Sequence, residues 1–577
     1  MTTQDKLFGH KLDPVRTAIA ANRPLFTSAF AFSAAMSILA LTTSFYMLEV
    51  YDRVLTSRSI DTLLLLTIIA TTAIAVFAVL DSLRGRLLMR IGMKIAEELS
   101  PKVLRAMVAT TSQNGGAAAR SGMRDIETIR NFIASPGFAA LLDAPFIVLY
   151  LIVLALIHLV FLGIVVVGGG VLIAIAVANQ RLTDPLLMRS LSQSSRAHEF
   201  AEDGLHNADV LEGMGMSQAF VRRWRQRWLQ SLVAGTEAHD RDSRLSSLSR
   251  GLRLLIQILL LGAGALLILN FEATGGIMIA ASIIGARALA PIESLVSVWK
   301  NVIAMRLSWN RLVMLLEHAP KREEGMKLPP PKGRIQVVSA FYVAPHARRN
   351  ILSNISFELQ PGESLGIIGP SASGKSTLLR LLVGAWPCAA GSVRLDGADI
   401  YAWPRAELSR YIGYLPQDVE LFAGTVRENI ARMGDGDPEA VVRAAERAGA
   451  HEMILELPKG YDTDIGTYGH SLSGGQSQRI GIARALYGDP KLVVLDEPNS
   501  NLDAAGEQAL MVMLDGLKND GVTVVMVAHR PSIIQNVDKM LALRANGTVD
   551  AFGPRAEVMQ RFTKSSPNRP QVVAFGS

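Results

Sequence analysis

The sequence predicts an all-α membrane domain of six transmembrane helices fused to a soluble α/β domain of the P-loop kind. Three observations carry this. Nearly all the long charge-free runs lie before residue 290. From Gly333 onward, short apolar strand-like runs alternate with helical patterns, the signature of an α/β domain. One of those runs, Ser364–Ile368, leads into Gly369-Pro-Ser-Ala-Ser-Gly374-Lys375-Ser376 and then a helical stretch. Across all 577 residues, 49% are hydrophobic and 19% charged, and mean hydropathy is +0.27, an average over two unlike halves.

A bilayer core of ~30 Å takes about 20 apolar residues as a helix. Leu25 to Leu48 carries no charge and follows Pro24, a good first helical residue. Thr62 to Leu80 is bounded by Asp61 and Asp81. Ala144 to Gln180 is free of charge except for His158 near its middle, so it suits two helices with a tight turn there. Leu254 to Phe271 is a fifth span, and a sixth begins near Gly275, interrupted by Arg287 and Glu293 around Pro291. A charge within a span faces the bundle interior or marks a pathway; Arg287 either lines a conduit or snorkels to the interface. Residues 1–24 are polar, with no apolar run of a secretory signal.

Lys and Arg in the connections set orientation. The segment after the second span carries Arg84, Arg86, Arg90, Lys94, Lys102 and Arg105, and the one after the fourth carries Arg222, Arg223, Arg225 and Arg227. These segments and both chain ends are therefore expected on the cytoplasmic side, as helices running well out of the membrane over residues 25–316. The same distribution explains the net charge of +7 without nucleic acid, for which no binding module is visible. The single cysteine, Cys388, excludes a disulfide framework, and no Cys/His cluster has zinc spacing.

Residues 317–332 are charged and then Pro-rich, as a linker is; 333–562 form the α/β domain, and 563–577 read as a poorly ordered tail. In the Gly369–Ser376 loop, glycines let backbone N–H groups wrap phosphates at a helix N-terminus. Lys375 neutralises them and the Ser376 hydroxyl ligates Mg²⁺. Gly369, Ser371, Ser373, Gly374, Lys375, Ser376 and Thr377 are thus candidates for binding ATP. The apolar run Leu492–Leu495 ends in Asp496 and Glu497: Asp496 is placed to hold the metal, and Glu497 to polarise a water attacking the γ-phosphate.

Leu472-Ser473-Gly474-Gly475-Gln476 alone is a turn before a helix. In order with the P-loop, Gln417, Asp496-Glu497 and His529, it resembles the signature of ABC ATPases, and the membrane spans make the whole an ABC exporter type. The resemblance implies that Ser473 and Gly475 complete the ATP site of a second subunit, hence a homodimer. It also implies that Gln417 contacts Mg²⁺, that His529 contacts the γ-phosphate as a catalytic residue, and that Asp503 lies at the dimer seam. Adenine in that family stacks on an aromatic ahead of the first strands; Tyr342 is chosen, although Val343 has the usual register.

The resemblance narrows to the exporters of type I secretion systems, in the protease, lipase and RTX-protein branch. Tyr46–Arg53, Phe138–Pro145, Asn207–Met216, Gly413–Phe422 and Asp496–Asp503, with Asn499 and Asn501, carry it. It implies an inner-membrane ATPase working with a periplasmic membrane-fusion adaptor and an outer-membrane channel to secrete an unfolded polypeptide cargo bearing a C-terminal signal. With the first span starting near residue 25, no N-terminal peptidase domain is expected. Gly466-Thr-Tyr-Gly469 and Ser477 depart from the branch's pattern, which bears on coupling between domains. An exporter of lipid or small molecules shares the architecture and is the alternative.

Overall fold

The computed structural model describes residues 17, 20–114, 121–320, 328–344, 350–466, 472–528 and 530–564. The chain splits into two compact units, residues 1–111 with 115–320, and residues 321–577 with 112–114.

In the first unit, six helices among the described residues are long and apolar enough to cross a membrane: Arg23–Ser57, Ile60–Ser112, Pro136–Ile157, Leu159–Leu205, Ser217–Leu269 and Gly275–His318. In hydrocarbon a helix satisfies its own backbone, so uncharged runs of this length become helices. The 55-residue helix Ile60–Asn114 extends about 80 Å at 1.5 Å per residue, far beyond a bilayer core. Leu64, Leu65, Ile68 and Ile69 on it are 55–60% exposed, as a lipid-facing surface requires. The first span is interrupted where Leu41 donates to the Ile38 carbonyl in a tightened turn, and Val50–Val54 is π-helical. His158 is extended between the third and fourth spans, its Nδ1 accepting from the Val160 amide and capping the fourth helix. Arg287 and Glu293 of the sixth span have different surroundings: Glu293 accepts from Arg253 of the fifth helix at 2.6 Å, whereas Arg287 lines a cavity. Close approach of the last spans depends on small residues; a Cβ on Gly285 would lie 2.5 Å from Leu260 Cδ1.

The second unit contains two sheets. Strands β1 (Ile335–Val343), β2 (Asn350–Leu359), β3 (Ser364–Ile368), β4 (Ala390–Leu395), β5 (Ala398–Asp399), β6 (Ile412–Leu415), β7 (Leu492–Asp496), β8 (Thr523–Val527), β9 (Lys539–Leu543) and β10 (Val549–Pro554) follow in chain order. An antiparallel sheet has the order β2-β1-β4-β5, and a six-stranded sheet the order β10-β9-β3-β8-β7-β6. In the larger sheet β9, β3, β8, β7 and β6 are parallel and β10 is an antiparallel edge. Every residue of β7 and β8 is buried, because helices cover both faces of a parallel sheet. Leu492 and Val494 pack into the core with the helix after β3, and Val493 and Leu495 into the opposite core. The chemistry therefore collects at the C-terminal edge of β3 and β7, where open α/β sheets bind ligands.

Candidate active site

At the end of β3 the chain turns through residues 369–374 into the helix Lys375–Leu382. Gly374 has φ +94°, and a Cβ there would meet Leu352 Cδ2 at 2.7 Å, so only glycine fits. Lys375 is 8% exposed, and its Nζ donates to the carbonyls of Gly369 at 2.9 Å and Pro370 at 3.1 Å. Burial pushes the Lys375 ammonium below its ordinary range, against the pull of Glu497 and Asp496. An anion in the loop would reverse that penalty. Ser373 is buried, with its hydroxyl oxygen lacking a hydrogen-bond partner.

β7 delivers the acids. Asp496 is 2% exposed; burial raises its carboxyl above the usual range, and a hydrogen bond from Ser376 partly offsets this. Its Oδ1 accepts no hydrogen bond among the described residues. An orphaned, buried carboxylate oxygen beside a serine hydroxyl is a donor set that fits a hard, oxygen-preferring divalent cation. No group of three or more His, Cys, Asp or Glu among the described residues could hold a metal by itself. Glu497 follows in a left-handed conformation at φ +51°, its amide donating to the Val527 carbonyl at 3.2 Å. Such a non-glycine position is strained and is characteristic of functional sites. Its Oε2 is 3.5 Å from Gln417 Nε2.

Ser371, Gly374, Lys375, Ser376, Thr377, Gln417 and Glu497 line one cavity of about 480 Å³. Gly369 and Asp496 are tied to that wall by their hydrogen bonds with Lys375 and Ser376. The structure adds Ala344, Asn350, Ile351, Ala545 and Asn546 to the wall, none of which the motifs single out. The dipeptide Asn546-Gly547 is a hairpin-turn signal, and Ser353 donates to the Gly547 carbonyl, which brings this turn against β2 beside the P-loop.

Tyr342, the aromatic named for adenine, has a buried ring stacked on Trp386, with centroids 4.9 Å apart and planes 15° apart. It does not line the cavity. Val343 is the exposed neighbour. His529 lies outside the described residues, as do Thr467, Tyr468 and Gly469.

Ser473 and Gly475 do not line the P-loop cavity of their own chain. Ser473 caps the helix Gly474–Leu486 with a reciprocal box: its hydroxyl accepts from the Gln476 amide and its amide donates to Gln476 Oε1. A Cβ on Gly475 would be only 3.0 Å from the Asn501 carbonyl, so the signature helix starts flush against the segment after Glu497. Two ties that motif reading missed hold it there. Buried Gln478 donates to the Pro498 carbonyl at 3.0 Å, and Arg479 donates to Asp503 at 2.7 Å. Ser477 donates its amide to the Ser473 carbonyl within the helix.

Residues 352–500 match the ABC transporter family. The chain is 41% identical over 577 residues to the type I secretion system ATP-binding protein PrsD of Rhizobium meliloti (strain 1021), covering 98% of each. It is 30% identical over 559 residues to the leukotoxin translocation ATP-binding protein LktB of Mannheimia haemolytica, covering 94% of this chain and 77% of that one. Among solved structures it is similar in fold to a bacterial Atm1-family ABC exporter with ATP bound, at TM-score 0.81, 21% identity, and coverage of 94% and 97%. With six membrane-crossing helices, a P-loop cavity and these relatives, the chain belongs to the ABC-type exporter ATPases of type I secretion systems, multi-pass membrane proteins that bind and hydrolyse ATP to drive export.

Proposed function

We propose that this chain works as a homodimer in the bacterial inner membrane, secreting an unfolded polypeptide that carries a C-terminal signal. A periplasmic membrane-fusion adaptor and an outer-membrane channel complete the path. The observation that carries the dimer is the separation of Ser473 and Gly475 from their own P-loop cavity: one chain holds both halves of a site and brings them together only with a second copy. At each such site Lys375 would balance the phosphates, while Ser376, Gln417 and Asp496 would hold Mg²⁺. That cation would neutralise charge on the transferring phosphoryl group. Glu497 would orient the water, and the family resemblance gives His529 the γ-phosphate contact.

Protein cargo is supported by 41% identity along nearly the whole of a type I secretion protein, and the cytoplasmic side of the ATPase unit by the arginine-rich connections. The test is secretion from cells carrying this chain, an adaptor and an outer-membrane channel. Cargo should leave only with its C-terminal segment intact. Export that survives deletion of that segment, or that needs no adaptor, would point instead to a lipid or small-molecule exporter.

A further inference from the structure

Inside the membrane unit lies a cavity of about 200 Å³ between the first, second, third and sixth spans, with charged groups of both signs on its wall. Arg84, 7% exposed, is fully engaged there. Its Nη1 donates to Asp143 at 2.6 Å and to the Ser33 hydroxyl at 3.0 Å, and its Nη2 to Asp81 at 2.9 Å. Both carboxylates of the wall thus lean on one guanidinium. Arg287, on the same wall, is exposed in the single chain. It forms no hydrogen bond or ion pair with any described residue.

Depth makes this unusual. Arg287 lies about 18 Å along the sixth helix from Gly275 at ~1.5 Å per residue, within an apolar core of ~30 Å. A charge at that depth is expensive and is kept where it meets a partner or a pathway. One turn further on, Pro291 lies inside the continuous helix Gly275–His318 and has no N–H to give the Arg287 carbonyl. The residue therefore presents a guanidinium fork and, beside it, a carbonyl that lacks the usual N–H four residues on. A fork donor suits a carboxylate, and the adjacent acceptor suits the N–H of an extended peptide. The cavity admits a side chain rather than a folded segment.

We propose that Arg287 is a recognition residue for acidic side chains of the polypeptide in transit, with the Arg84–Asp81–Asp143 cluster forming the fixed wall against which each carboxylate is read. This rests on the polypeptide-export reading. It makes acidic composition a selection criterion of the membrane path, separate from any terminal signal.

The test uses the full-length chain in phosphatidylcholine nanodiscs and three fluorescent 20-residue peptides, alternating Gly with Asp, Asn or Lys. Anisotropy gives each affinity, with basal ATPase as the control for folding. The wild type should prefer the Asp peptide. Arg287→Gln should weaken the Asp peptide about tenfold, the worth of one charge-assisted hydrogen bond, while changing the Asn peptide by less than about twofold. Arg287→Glu should invert the preference toward the Lys peptide, which a merely structural residue would not do. Should the Gln variant lose basal ATPase, Arg287→Lys, which keeps the charge, is expected to retain the Asp preference. Equal weakening of the Asp and Asn peptides, an Asp preference that survives in Arg287→Glu, or its loss in Arg287→Lys with basal ATPase intact overturns the assignment of Arg287 and leaves the export reading standing. An effect that follows added phosphatidylglycerol instead of peptide charge assigns the site to lipid and overturns it too. Failure of the wild type to bind any of the three peptides speaks against polypeptide export itself.

Discussion

The carboxylate of Asp52, in the π-helical turn of the first span, accepts the backbone N–H of Gly276 at 2.9 Å and the hydroxyl of Thr274 at 2.5 Å. Two helices are joined this way: an acid from one satisfies an orphan amide at the N-terminus of the other, 224 residues on, where its charge also suits the helix dipole. Gly276 is required for the approach, since a Cβ there would lie 2.7 Å from the Asp52 carboxyl carbon. Asp52→Ala should therefore cost about 1 kcal/mol locally, the usual worth of an N-cap. Amides 275–278 should then exchange with deuterium about fivefold faster. Asp52→Asn, which still accepts, should lose less. Unchanged exchange in Asp52→Ala would remove this role.

Hydrolysis is expected to separate from binding at two positions. Lys375→Ala leaves the phosphates without their buried cation, so fluorescent ATP should no longer bind. Glu497→Gln keeps the left-handed backbone and the Gln417 contact but loses the carboxylate that orients water. Its ATP binding should persist while kcat falls by at least about a hundredfold, the low end for a general base. Near-normal turnover in Glu497→Gln would reassign the base.

Composite sites make a distinct prediction. Co-expressed Lys375→Ala and Ser473→Arg chains should form mixed dimers in which one site carries both changes and the other carries none. ATPase activity in the mixture should exceed that of either variant alone. Activity equal to the average of the two homodimers would mean that each chain hydrolyses by itself.

Orientation can be read with thiol labelling in a Cys388→Ser background. Ser57→Cys, at the turn between the first two spans, should react with a membrane-impermeant maleimide added to the outer face. Ser217→Cys, at the start of the fifth long helix, should react only after permeabilisation, because the arginines that follow it hold that segment inside. The opposite pattern would invert the membrane domain.

Asp538 anchors the start of β9 to the start of β3. It accepts from the Ser364 amide at 3.0 Å and hydroxyl at 2.8 Å, and pairs with Lys518 at 2.5 Å. Partial burial works to raise its carboxyl, but the Lys518 and Ser364 bonds outweigh it and hold the group below its ordinary value of 3.8. A carboxyl lowered by folding contributes stability that is complete above the unfolded value and vanishes as pH falls through the folded one. Thermal melting followed in the full-length protein should thus separate wild type from Asp538→Asn at pH 6. The difference should shrink only below about pH 4, near the unfolded Asp value. A gap that is constant down to pH 3 would exclude the carboxylate as its source.

What could be read along the chain was what depends on local chemistry alone. Charge-free runs such as Thr62–Leu80 declare spans because hydrocarbon leaves a backbone no other partner, and the arginines beside them declare sidedness. Gly369–Ser376 and Asp496-Glu497 declare phosphate and acid chemistry because a few contiguous residues build each part. Tertiary structure decided what depends on which distant residue arrives. In the sequence Tyr342 is simply an aromatic residue, and only the fold stacks it on Trp386, 44 positions later. Asp143 is an unremarkable acid until Arg84, from another helix, takes it as a partner. That capture leaves Arg287 as the cation on the cavity wall without a hydrogen bond or ion pair among the described residues. Hydrophobic period and motif spacing specify an element and its buried face, but many pairings of such faces satisfy the same pattern. The choice among them is made by side-chain packing and by the cost of leaving any one buried charge alone.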